Sequence, residues 1–189
     1  MQAIFTILST MLVLAAFPPY VIDTIRGKTR PERATWFIFS ILGIIAFISQ
    51  LALGATWSLV FSGFDTAASI VVFILSITYG VGGYTKLDIT ALTLAITGAF
   101  VAVFAHEPIV SLIGVIVADL SGVALTIKKV YEYPKSETTI SWVLVGTASL
   151  FGALSVSKLA FGTLLYPIYL MLVNYAVPIV QVLRRNKNR

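Results

Sequence analysis

One carboxylate, Asp119, stands near the middle of an apolar run that extends from about residue 109 to 127. At a bilayer centre such a group costs roughly 2.5–3.5 kcal/mol even on a lenient insertion scale. No Lys, Arg or His lies inside any apolar run to neutralise it. Three outcomes stay open: a protonated acid, an acid facing a hydrated cavity, or an acid holding a cation or polar ligand. A neutral Asp bonded to another helix is the structural form of the first. Removal from water penalises the charged form, which also suits a proton-linked step. Helical spacing puts Ser111, Asp119, Gly122 and Thr126 near one face of this run. In the last run, about 160–183, Tyr166, Asn174 and Gln181 share a face. Pro167 and Pro178 interrupt its backbone bonding and leave carbonyls for a ligand or a neighbour. Asn174 needs a partner if buried, either a solute or another helix.

Other chemistry is thinly supplied. One His and no Cys leave nothing for a metal centre or a His-based triad, so neither a metal nor a cofactor is expected. Gly80, Gly82 and Gly83 with Tyr84 read as a flexible helix exit, not a phosphate loop. An intramembrane enzyme needs acid, base and nucleophile gathered together. Only Asp119 with scattered Ser, Thr and Tyr is at hand, and no enzyme is expected.

The elements that must hold these residues follow from composition. Apolar types make up 58% of the 189 residues and charged types 11%, with mean hydropathy +0.96. Soluble domains carry about 25% charged residues, so this chain is read as an all-α membrane protein. Seven runs are long enough to span, at about 3–22, 35–54, 58–83, 88–104, 109–127, 139–157 and 160–183. Backbone groups in hydrocarbon must bond within their own segment, which makes these runs helices. Twelve of the thirteen basic residues, from Arg26 to Arg189, then fall on one side, and Lys158 alone falls opposite. The N-terminus is therefore expected outside and the C-terminus in the cytoplasm, with a retained first helix and no signal peptide. The net charge of +5 belongs to topology and lipid headgroups, with no nucleic-acid partner.

Two loops repeat a pattern. Basic residues lead to Pro31 and Glu32 and then to Thr35-Trp36; the second copy has Pro134, Glu137 and Ser141-Trp142. Two three-helix repeats keep one orientation only if a single helix re-inverts the chain between them. That gives residues 1–84 as the first repeat, 85–105 as a linker helix and 106–189 as the second repeat. The linker carries a stripe of small residues, Ala91, Ala95, Gly98 and Ala102, suited to close packing.

This plan resembles the PQ-loop superfamily, including the SWEET sugar transporters. Pro19-Tyr20 stands where that family has Pro-Gln, and Arg26, Lys28 and Thr29 match its basic and hydroxyl positions. Leu125-Thr126 replaces the dipeptide in the second copy. The resemblance implies two parallel three-helix bundles joined by a linker helix, with a substrate site near mid-membrane. An Asn on the third helix of each repeat contacts substrate in SWEETs. Asn174 fits by position, and Ser76 and Tyr79 are the polar candidates in the first copy. The resemblance implies hinges at the helix prolines, here Pro18, Pro19, Pro167 and Pro178. The expected function is a small secondary transporter in the cell membrane. It would move a polar or cationic solute by alternating access, with proton linkage as one form. Its site would hold Asp119, Asn174, Ser76, Tyr79, Thr126 and Tyr166. The alternative is a non-transporting membrane receptor or assembly factor of the same fold. Membrane lipids are partners in either case, and a shared lipid-facing surface suits a homo-oligomer.

Overall fold

The computed structural model describes residues 2–52, 57–156 and 160–187; Lys158 and Arg189 lie outside them. Among the described residues the chain folds into seven α-helices. They are α1 Gln2–Ile25, α2 Arg33–Ala52, α3 Trp57–Tyr79, α4 Lys86–Phe104, α5 Pro108–Glu132, α6 Thr139–Leu154 and α7 Phe161–Lys187. Among the described residues, four stretches are long and apolar enough to cross a membrane, in α1, α4, α5 and α7.

Several ends differ from the sequence expectation. The third run was expected to reach 83, but α3 stops at Tyr79 because Gly82 and Gly83 take left-handed φ values of 75° and 95°. The fifth was expected to end at 127, but α5 continues to Glu132. Lys129 and Val130 in that extension are buried, so packing carries the helix past the basic residues. The start of α4 is fixed by a capping box: Thr85 Oγ1 accepts from the Asp88 amide, and Asp88 Oδ2 accepts from the Thr85 amide at 2.7 Å.

The chain divides into two compact units. A central unit runs from Arg30 to Thr126, and a terminal unit joins the chain up to Thr29 with the chain from Ile127 onward. The terminal unit is thus discontinuous in sequence, and the central unit lies between its two segments along the chain. In the terminal unit α1 packs antiparallel on α6: Phe5 stacks on Phe151 at 6.0 Å, and Ser9 Oγ donates to Ala148 O at 2.8 Å. The buried stripe Ala16, Tyr20, Thr24 recurs every four residues, as one helix face requires. On its other side α6 meets α7, with Thr147 and Tyr175 sharing a 2.8 Å hydroxyl contact.

In the central unit α2 packs antiparallel on α3, with Phe37 against Phe73 at 5.3 Å. The small stripe of α4 faces α5 as its composition suggested. A Cβ at Gly114 would sit 2.6 Å from Gly98 O, so only glycine admits this approach. Large side chains take the opposite face: Ile96 is 68% exposed and Phe100 62%, while Ala91, Ala95 and Gly98 are buried. Ala34, Ile38, Ala118 and Leu125 complete the apolar contacts of α2, α4 and α5.

Candidate functional site

Asp119 is nine-tenths buried on α5 in the central unit, and its side chain does not stand without an interaction. One turn further on, the same face of α5 is used for packing. Thr35 Oγ1 lies 2.7 Å from Gly122 O, and Thr126 Oγ1 donates to Thr35 Oγ1 at 3.1 Å. Ser111 Oγ donates to Ala102 O. Ser76 is buried in the last turn of α3 and turns its hydroxyl back to Phe73 O at 2.6 Å. Tyr79 ends that helix, 40% exposed.

Asn174 and Tyr166 lie on α7 in the terminal unit. Asn174 is buried and donates to Leu170 O, one turn back on its own helix, at 2.8 Å. Tyr166 stacks on Tyr169 at 6.2 Å. Gln181 is fully buried, donates to Glu137 O at 3.0 Å and accepts from Thr139 at 3.1 Å. Within the units, Asp119, Thr126, Ser76 and Tyr79 belong together, as do Asn174 and Tyr166. The prolines at 18, 19, 167 and 178 all fall inside continuous helices. Each removes one backbone donor without ending its helix.

Sequence reasoning missed the most densely bonded polar residues of both units. In the central unit they form a clasp. Arg33, in the first turn of α2, reaches to the end of α3. Its Nε donates to Ser76 O at 3.0 Å, Nη1 to Gly82 O at 2.9 Å and Nη2 to Gly80 O at 2.8 Å. A guanidinium thus serves the carbonyls that a helix C-terminus leaves unpaired. The backbone adds Arg33 N to Val81 O and Val81 N to Pro31 O, both at 2.9 Å. The expected flexible exit at Gly80–Gly83 is therefore pinned. Glu32 lies beneath it, 3% exposed. Its Oε2 accepts from the Thr35 amide at 2.6 Å and lies 2.9 Å from Thr35 Oγ1, while Oε1 is buried with no hydrogen-bond partner. A side chain at Gly82 would collide with Oε1. Burial pushes the Glu32 carboxyl above the usual glutamate range, the bonds from Thr35 and the Ala34 amide pull it back in part, and Asp88 adds repulsion.

In the terminal unit the corresponding residues form a cage. Glu137 pairs with Lys129, 5% exposed, and accepts from Tyr20 Oη at 3.1 Å and from Trp142 Nε1 at 2.8 Å. Thr138 bonds Asp23 Oδ2 at 3.1 Å and shares a hydroxyl contact with Thr29. Lys129, one of the twelve basic residues expected on one side, is consumed in a buried ion pair. The signal for both groups lay in the loop repeat itself, which put one Glu ahead of each hydroxyl-Trp pair. Comparison of the chain with protein-family models, with curated proteins and with solved structures finds no match.

Proposed function

We propose that this chain is a multi-pass membrane protein of the cell membrane, a small secondary transporter that moves a polar or cationic solute by alternating access. Asp119 is the group that meets the solute or a coupling proton, and Asn174 is the polar candidate of the terminal unit. The observation that carries this reading is a carboxylate nine-tenths buried within a helix long and apolar enough to cross a membrane. Around it, Ile113, Val117 and Leu120 of the same helix are 40% exposed or more, an arrangement that suits lipid outside and polarity inside. In the same reading the N-terminus is outside, the C-terminus cytoplasmic, and residues 1–84 and 106–189 are repeats of the PQ-loop kind.

The repeat reading is supported by a shared local plan. In each unit a helix joined by polar contacts (Tyr20 of α1, Gly122 and Thr126 of α5) meets the start of a helix introduced by Glu32 or Glu137. Each glutamate is followed closely by a buried Trp, Trp36 or Trp142. On this view each unit combines the first helix of one repeat with the second and third helices of the other.

The test is uptake into liposomes of amines, vitamins, nucleosides and sugars, with and without a pH gradient. Asp119→Asn is expected to fold normally and to lower uptake, or to shift its pH dependence, by about tenfold, near 1.4 kcal/mol. Uptake equal to the parent at every pH removes Asp119 from the site. Solute binding with no uptake by the parent replaces the transporter with a receptor.

A further inference from the structure

We propose that Glu32 is a proton-binding site whose carboxyl donates from Oε2 to Thr35 Oγ1, and that loss of this proton releases Thr35 from Gly122 on α5. The argument is a count of hydrogens. Thr126 donates to Thr35 Oγ1, which itself has one proton and two oxygen neighbours, Gly122 O at 2.7 Å and Glu32 Oε2 at 2.9 Å. With Glu32 ionised, one of these contacts sets lone pair against lone pair. With Oε2 protonated, Thr126 and Glu32 both donate to Thr35, Thr35 donates to Gly122 O, and each contact has its hydrogen.

The second oxygen leads to the same state independently. Oε1 is buried without a partner, where half a negative charge is costly and a neutral carbonyl oxygen much less so. It rests in the space that a side chain at Gly82 would fill. The charged groups around it do not compensate. From α4 comes Asp88, of like sign, whose field opposes ionisation. Arg33 on α2 directs its donors to the carbonyls of Ser76, Gly80 and Gly82. Arg30, two residues earlier, is exposed. The packed stretch of α3 and its exit, 76–83, offers Tyr79, and α5 between Gly122 and Thr126 offers no ionisable group. Ionisation would draw the Thr35 proton to the carboxylate and forfeit the bond to α5. The start of α2 therefore has two states, selected by a proton taken from water. This assignment is independent of the transport reading.

The experiment is carboxyl-carbon NMR of the full chain labelled at glutamate, which yields four signals, from Glu32, Glu107, Glu132 and Glu137. Glu32→Gln identifies one by its disappearance; should that variant not fold, Glu32→Asp removes the same signal. The Glu32 carbon is expected at the neutral-carboxyl position at pH 7 and to move only on alkaline titration. A Glu32 signal already at the carboxylate position at pH 7 overturns the proposal and leaves an ordinary ionised cap of α2.

Discussion

Glu137 and Glu32 occupy the same slot in the two loops and have opposite surroundings. Glu137 is met by a cation, a phenol and an indole, so both of its oxygens are bonded. Glu32 is met by a hydroxyl and by the amides of Thr35 and Ala34, lies in the repulsive field of Asp88, and has one oxygen left bare. What differs is the neighbour supplied by another helix: Lys129 from α5 in one case, Asp88 from α4 in the other. Burial is what raises the Glu32 carboxyl most, and the field of Asp88 adds to it, whereas Glu137 has a cation against one oxygen. The terminal unit thus has an ion-paired lock, and the central unit has a joint held by a shared hydrogen.

The sharpest way to break this contrast is to make Glu137 resemble Glu32. Lys129→Ala leaves Glu137 buried beside no cation and is expected to cost about 3–5 kcal/mol of stability. Adding Glu137→Gln should recover part of that loss in thermal unfolding. A single variant as stable as the parent would mean that the ion pair is not the lock. Next in size is Gly82→Ala, which places a side chain on a residue at φ 75° and into Oε1 of Glu32. Strain and displacement together should cost about 1–3 kcal/mol.

The smallest effect concerns pH. Because the folded Glu32 carboxyl sits above its ordinary value, the folded chain holds this proton more tightly than the unfolded chain. Its contribution is complete below the ordinary glutamate value and is lost as pH rises through the raised folded value. Glu32→Gln should flatten unfolding curves across that window. An unchanged slope would make the two glutamates alike.

The helices were legible because each apolar run is long and unbroken enough to close its backbone bonds within itself. Their ends were less so. The stop at Tyr79, set by glycines, is clasped by Arg33, a residue more than forty positions away, and the extension to Glu132 depends on Lys129 being drawn inward. Asp119 and Asn174 could be read as buried polar groups from position alone. Their company could not: Asn174 donates to a carbonyl of its own helix, a bond that any helical Asn has within reach. Glu32 and Lys129 were hidden for a different reason. Charged residues between apolar runs look solvated, and only tertiary contacts show which ones are taken inside.

The interleaving of the units bears on how the chain is made. α1 emerges first, yet Tyr20 finds Glu137 only 117 residues later. Until α6 and α7 are synthesised, the face bearing Ala16, Tyr20 and Thr24 has no mate from its own unit. α2, α3, α4 and most of α5, by contrast, are consecutive and free to assemble while translation continues. Truncation before α6 should therefore yield a protease-resistant middle and a labile beginning, an order of maturation opposite to the order of synthesis.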